Sequence, residues 1–256
     1  MKLRTHFLPM ARSFTLGVLT ISALSSCQTT QRAPSTEFAR YGGMHEAIGQ
    51  GKHHGRVSLA EVVDRPRFYG IGAIERLQGE ITILDSEAVV TGVARDGRPV
   101  PRSPADLQAT LLAGQSVPVW TSVTLEEAVG HDGLDATIAA ATELAGLDPA
   151  APIVFVVEGA LTDVRLHVIN GACPVHARMK DLTLSEAERP FELEAETLAG
   201  TVVGVYASGS VGELTHPATS THAHLIYEDD RTGQRVTGHL ERIGLSPGAI
   251  LKLPAE

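Results

Sequence analysis

Three histidines in the last third of the chain have the spacing of a metal site. His222 and His224 are two residues apart in a segment that predicts a β-strand, so their side chains should point to the same face. His239 lies on the predicted returning strand, close enough across the hairpin for the three rings to meet. Three imidazoles with an open fourth position are typical of catalytic zinc, although copper, iron and nickel accept the same ligands. The alternative is that these are ordinary surface or core histidines of a β-hairpin.

The elements that must position these histidines are mainly strands. Alternating or β-rich patterns predict strands at 68–74, 80–84, 89–93, 121–123, 153–157, 164–169, 201–206, 222–227 and 235–240. Residues 229–233 predict the hairpin loop between the last two strands, and 80–84 should bury one face. Helices are expected at 44–49, 59–63 and 134–144, and the spacing from Thr124 to Glu127 is that of a capping box. We therefore predict an α+β fold with mixed or antiparallel sheets and few helices.

The N-terminal segment has the composition of an export signal. Three basic residues precede the apolar run 14–24, which ends in Leu-Ser-Ser-Cys27. This order resembles the lipobox of bacterial lipoproteins, in which the cysteine is lipidated and becomes the new N-terminus. The alternative is an ordinary secretory signal with a chance cysteine. We predict a signal peptide at 1–26, a lipidated Cys27 with a flexible tether over 27–40, and a folded domain over 41–256.

Composition and charge narrow the class of protein further. The chain has 256 residues, 43% of them hydrophobic and 20% charged, which is ordinary for a globular protein with a genuine core. Loss of the signal would change the net charge from -9 to -12, which argues against a nucleic-acid partner. The membrane should be reached through the lipid alone, and Gln28 after the cysteine favours the outer membrane by analogy with lipoprotein sorting. Cys173 would be the one cysteine besides Cys27, and a buried structural thiol is expected rather than a reactive or metal-binding one.

Several segments resemble motifs of the α-acetolactate decarboxylases. The segment 200–206, GTVVGVY, resembles the family's Gly-Thr-Leu-Val-Gly-Phe strand, and 222–231 resembles its His-Leu-His-Phe-Ile segment and acidic turn. Gly238-His239 resembles the Gly-Gly-His that supplies the third zinc ligand. Upstream, 68–72 and 79–82 resemble the Phe-Gly-Leu-Gly-Thr and Asp-Gly-Glu segments. These motifs run in the family's order from about residue 41 to 256.

The resemblance implies an activity and a set of residues. It implies zinc, or another divalent metal, on His222, His224 and His239, and conversion of 2-acetolactate, or a related 2-hydroxy-3-oxo acid, to acetoin. The metal would act as a Lewis acid that stabilises the enediolate left when carbon dioxide departs. Glu80 matches the glutamate that handles protons beside the zinc. Glu256 is the candidate for a second carboxylate near the C-terminus, and the family implies a homodimer.

The chain departs from the family at several positions. Ala73 stands where the family has threonine, and Val168 stands where it has the arginine that would bind the substrate carboxylate. Arg165 and Arg178 are near this position, but neither is in register. The hairpin between the histidines is longer than the family's, with an extension near 234–237 that either alters one wall of the site or lengthens a loop.

Two other functions remain open on sequence alone. One is a non-catalytic metal- or small-molecule-binding lipoprotein on the same fold, which the changes at Ala73 and Val168 favour. The other is a DNA-linked relative of a small prokaryotic and plant domain with similar histidine segments, which the export signal and acidic charge oppose. Five further histidines are expected to be structural or solvated: His53, His54, His167, His176 and His216.

Overall fold

The structure, a computed structural model, describes residues 37–255. Cys27 and Glu256 lie outside the described residues, and so do the predicted signal peptide and most of the tether. The first strand begins at Ala39, so it takes in the last two residues of the range assigned to the tether. Among the described residues, no helix is both long and apolar enough to cross a membrane.

The first sheet has seven strands and comes from the N-terminal half of the described chain. Its strands are β1 (Ala39–Tyr41), β2 (Val57–Ser58), β3 (Phe68–Ile74), β4 (Glu80–Leu84), β5 (Glu87–Val93), β6 (Pro99–Pro101) and β7 (Gln108–Ser116). Their order is β1-β7-β3-β4-β5-β6, with β2 also paired to β7. Helix α1 (Leu59–Val63) buries Leu59 and Val62 against Phe68, Ile81 and Ile83 on one face of this sheet.

The second sheet carries the histidine hairpin. Its strands are β8 (Trp120–Thr124), β9 (Ile153–Val168), β10 (Phe191–Tyr206), β11 (Thr221–Asp229), β12 (Gln234–Leu245) and β13 (Ile250–Pro254). The order is β10-β11-β12-β9-β13-β8, and β10 also pairs with β9, so β9 to β12 close into a ring. Helix α2 (Leu134–Leu144) packs Leu134, Ile138 and Ala141 against the core of this sheet.

Short helical segments connect the strands. They are α3 (Pro174–Met179), a π-helical turn (His45–Gly49) and the 3-10 turns Glu75–Leu77, His131–Gly133, Glu186–Glu188 and Ser208–Ser210. The strand ladders of the described residues are all antiparallel. The α+β class with antiparallel sheets and few helices is therefore confirmed.

Two predicted elements differ in the structure. The segments 153–157 and 164–169 belong to one strand, β9. The backbone between them is irregular at Gly159 and Asp163, whose φ values are 145° and 49°, but pairing with β10 continues on both sides of these residues. The capping box at Thr124 is wrong. Thr124 is the last residue of β8, where it pairs with Ile250, and α2 begins ten residues later at Leu134.

Strand β4 is buried on both faces rather than on one. Ile81 and Ile83 point into the core of the first sheet, as the alternation predicts. Glu80 and Thr82 point the other way and are also buried, because that face meets the second sheet at the histidines. The polar face of β4 therefore lies in the interface between the two sheets and not in solvent.

Candidate metal centre

The β11–β12 hairpin places the three histidines side by side. His222 and His224 share one face of β11, while the intervening Ala223 and the following Leu225 enter the hydrophobic core. In the ladder, His224 is directly opposite His239. Gly238 lets β12 approach β9 closely, since a Cβ there would lie 2.8 Å from a methyl carbon of Leu166. Alternation, hairpin register and one glycine thus bring the rings together.

The triad has the geometry and protonation state of a metal site. One donor nitrogen of each of His222, His224 and His239 lies within 4.8 Å of the others, and all three side chains are buried. Burial lowers the pKa of His222 to about 3 and lowers the pKa of His224 and His239 well below the usual value. All three rings are therefore neutral at physiological pH, which is the form that binds metals.

Hydrogen bonds fix the tautomer of two of these rings. Nδ1 of His222 lies 2.9 Å from the Leu214 carbonyl oxygen, which can only accept, so Nδ1 carries the proton. Nδ1 of His224 lies 3.2 Å from the Thr82 hydroxyl, which in turn lies 2.6 Å from the Thr237 hydroxyl. Thr237 donates its proton to the Leu225 carbonyl, so Thr82 must donate to Thr237 and accept from His224. In both rings Nε2 keeps its lone pair.

The free nitrogen of His224 fits a cation. Its Nε2 is buried and has no hydrogen-bonding partner, an arrangement that proteins generally avoid unless an ion or water completes it. Neutral histidines whose second nitrogen is held by a carbonyl or a fixed hydroxyl are the usual ligands of divalent metals. The residues present therefore fit a zinc ion or a similar divalent cation.

Glu80 faces the triad from the first sheet. One carboxyl oxygen lies 3.7 Å from Nε2 of His224, and the other accepts a hydrogen bond of 3.2 Å from the backbone N–H of Ile169. Burial raises the pKa of Glu80 to about 8, so the carboxyl holds a proton in the absence of a nearby positive charge. A cation on the histidines would act in the opposite direction and favour the carboxylate.

The histidines and Glu80 surround a small cavity of about 30 Å³ between the sheets. The remaining wall is mainly apolar and consists of Met44, Ile48, Gly72, Ala73, Leu77, Leu111, Ile169 and Cys173, with His167 and His216. Cys173 is buried and caps α3, which agrees with the structural role predicted for it. A larger cavity of about 430 Å³ adjoins and shares His216 and His239 with the first.

His167 is the main feature that sequence reasoning missed. It is buried on β9 opposite His239, with the two ring centres 4.8 Å apart, and its Nε2 lies 3.9 Å from Glu80. Its Nδ1 lies 2.7 Å from a carboxyl oxygen of Glu241. Burial opposes ionisation of Glu241, but hydrogen bonds from His167 and Arg178 lower its pKa to about 2. The sequence signal was available as alternation along β9, which puts His167 and not Val168 on the face toward the site.

The structure places the residues at which the chain departs from the family pattern. Ala73 lines the cavity as a small apolar residue. Val168 follows His167 on β9 and is fully buried, but it does not line the cavity. Arg165 and Arg178 both bind Glu241, so neither guanidinium is among the groups that line the cavity. The extension at 234–237 lengthens the paired arms of the hairpin, and its Thr237 belongs to the hydroxyl chain behind His224.

Of the other predicted histidines, His216 lines the cavity with its ring centre 5.0 Å from that of His239, and the rest lie elsewhere. His53 and His54 line a separate open pocket with Arg76, and His176 is on α3. Glu256 is outside the described residues, so its predicted role stays a prediction.

The chain is thus an α+β protein in which a buried three-histidine cluster that could hold a metal ion lies between two antiparallel sheets, with a glutamate opposite it. Comparison with protein families is more specific, because residues 41–250 match the alpha-acetolactate decarboxylase family. The chain belongs to this family. By sequence it has no significant match among curated proteins.

Solved structures show the same fold. The alpha-acetolactate decarboxylase of Bacillus subtilis strain 168 is 14% identical with a TM-score of 0.61, and 86% of each chain is covered. A Staphylococcus aureus protein of unknown function, similar to alpha-acetolactate decarboxylase, is 14% identical with a TM-score of 0.60 and 84% coverage of each chain. The enzyme of Bacillus subtilis subspecies spizizenii is 13% identical with a TM-score of 0.59 and 86% coverage of each chain.

Proposed function

We propose that this protein is a metal-dependent decarboxylase that converts 2-acetolactate, or a related 2-hydroxy-3-oxo acid, to acetoin or its analogue. The observation that carries the proposal is the buried Glu80, which faces three neutral histidines in a member of this family. The family resemblance also leads us to propose a homodimer.

The roles of the residues follow from their positions. His222, His224 and His239 would hold the metal, which as a Lewis acid polarises oxygen groups of the substrate when it is bound. Loss of carbon dioxide leaves an electron pair on the carbon that carried the carboxylate, and that carbon must gain a proton to give the product. Glu80 is the acid that lies against the triad, so it holds or relays this proton. The mainly apolar wall and the small volume of the cavity limit the water that could compete for the site.

Substrate entry requires movement of side chains. A cavity of about 30 Å³ has room for a water molecule but not for a five-carbon acid. Met44 and Ile48 form part of its wall; Met44 directly precedes the π-helical turn His45–Gly49, and Ile48 lies within it. Met44 is a flexible side chain that can adopt other rotamers. We infer that this wall opens, and that the adjoining 430 Å³ cavity, which shares His239, takes part of the ligand.

A non-catalytic binding protein on the same fold is the second candidate function. It is favoured by the cavity wall, which contains neither the family's threonine nor an arginine, because Ala73 is apolar and Arg165 and Arg178 bind Glu241. A binding protein would use the metal to hold a small molecule without turning it over. The family match and the acidic charge leave the DNA-linked alternative without support.

Metal analysis together with an acetoin assay separates these two functions. We expect the purified full-length protein to contain about one divalent ion per chain and to form acetoin from racemic acetolactate above the spontaneous rate, with a chelator abolishing the reaction. The absence of a carboxylate-binding arginine should raise KM for acetolactate. Full metal content without any acetoin above the blank would reject the decarboxylase and leave the binding protein.

We also propose that the protein is exported and anchored by lipid at Cys27, which lies outside the described residues. The proposal is supported by the order of basic, apolar and small residues before this cysteine. Cys27→Ser should move the protein from the membrane fraction to the soluble fraction, measured by immunoblot of fractionated cells. Cys173→Ser is the matched control and should stay with membranes. A Cys27→Ser protein that remains bound to membranes after signal cleavage would refute lipidation at this residue.

A further inference from the structure

His167 lies at the metal cavity without being one of the three clustered ligands. It is about 1% exposed and lines the cavity together with Glu80 and the triad. Strand β9 holds it between two partners, since it pairs with His239 on β12 and with Glu192 on β10. Its backbone is therefore fixed by two ladders, and its ring cannot leave the cavity without disrupting the packing against His239.

A chain of charged groups sets the orientation of this ring. Nδ1 of His167 lies 2.7 Å from one oxygen of Glu241, and the same carboxylate binds Arg178 and, at 3.2 Å, Nε of Arg165. Arg178 also donates to Glu192 at 2.8 Å, which fixes the guanidinium itself. A carboxylate held by two guanidinium groups is an acceptor, so Nδ1 of His167 carries the proton.

With the proton on Nδ1, the other ring nitrogen of His167, Nε2, is a hydrogen-bond acceptor. Nε2 of the neutral ring has a lone pair and no proton, so it can accept a hydrogen bond but cannot donate one. It faces the cavity at 3.9 Å from Glu80, too far for a direct hydrogen bond. A carbonyl or carboxylate oxygen of a ligand would meet this nitrogen unfavourably, whereas a hydroxyl group would be a good partner.

We propose that Nε2 of His167 accepts a hydrogen bond from the hydroxyl group of an α-hydroxy carbonyl ligand, and so selects for the hydroxyl at this site. Arg178 and Glu241 are positioning residues that act through His167. Arg165, the arginine nearest in sequence to Val168, binds the same Glu241 carboxylate, so it helps to orient a histidine instead of binding a substrate carboxylate. This inference rests on the proposed metal site and its substrate class.

Paired ligand binding tests the proposal without turnover. Acetoin and its methyl ether, 3-methoxybutan-2-one, both offer two oxygens to a metal, but only acetoin has a hydroxyl proton. We expect zinc-loaded full-length protein to bind acetoin about tenfold more tightly than the ether in calorimetric titrations, because a buried acceptor is left unpaired by the ether. His167→Phe should reduce this preference to about one, and His167→Gln, whose amide oxygen accepts, should restore part of it.

Zinc content and melting temperature of each variant are the controls. Both variants should keep their zinc, since His167 is outside the triad. Loss of zinc from either variant, an unchanged preference in His167→Phe, or a wild-type protein without any preference or binding would each overturn the proposal. Acetoin formation is measured on the same preparations. Wild-type protein that prefers acetoin but forms none would leave this inference standing and reject the decarboxylase.

Discussion

His224→Ala should lower the affinity for zinc by more than about 100-fold and abolish acetoin formation. Loss of an outer partner of a metal ligand costs about 10–100-fold in affinity, and loss of the ligand itself should cost more. His224 is the strongest test within the triad, because its Nε2 is the buried nitrogen without a hydrogen-bonding partner. The measurement is a competition titration with a chromophoric chelator on the full-length protein.

Graded controls distinguish loss of a ligand from loss of the fold. Thr82→Val keeps the shape of a buried side chain but removes the hydroxyl that accepts from His224, so it should lower the affinity by about 10–100-fold. His53→Ala changes a histidine of a separate pocket and should leave the affinity unchanged. Equal zinc affinity in His224→Ala, His53→Ala and wild type, with similar circular dichroism, would remove the triad as the metal site.

Glu80→Gln should lower kcat by about 10²–10⁴-fold while zinc binding stays near that of wild type. The amide has the size of the carboxyl group, and its oxygen can still accept the hydrogen bond from Ile169. It cannot exchange a proton with the substrate carbon. The effect should therefore appear in turnover, and the zinc content measured on the same sample shows whether the metal centre is intact.

Glu87→Gln is the matched control for this substitution. Glu87 is exposed at the start of β5, where it binds Arg235, so its neutralisation should change kcat by less than about twofold. If Glu80→Gln turned over acetolactate as fast as wild type, Glu80 would have no part in proton transfer. The acid would then have to be sought among other carboxyl groups, including Glu256.

The histidine triad was predictable because its geometry is local. The two-residue period of a strand puts His222 and His224 on one face, and the turn-rich 229–233 fixes the register that brings His239 opposite His224. The antiparallel α+β class was predictable for the same reason, since alternation and turn signals act over short stretches of chain. These features need no knowledge of how the two sheets pack.

Features that depend on contacts between segments far apart in the sequence could not be obtained in this way. Alternation in 80–84 identified a polar face, but only the second sheet shows that Glu80 and Thr82 on that face are buried. Thr124 fits a capping box by spacing, yet pairing with β13 keeps it in a strand. Alternation along β9 places His167 on the face toward the site, but its partner Glu241 lies 74 residues away in sequence, so the orientation of its ring does not follow from the local pattern.

The hydrogen-bonded hydroxyls of Thr82 and Thr237 next to His224 relate metal binding to folding. Thr82 and His224 are separated by 142 residues and come from different sheets. In a zinc finger, neighbouring ligands capture the ion and the chain folds around it. Here the three ligands are also close in sequence, but the outer contact from Thr82 exists only after the two sheets have docked, so the centre is complete only in the folded protein. In the folded protein the triad is buried, so an ion that enters late would have to pass the residues that cover it.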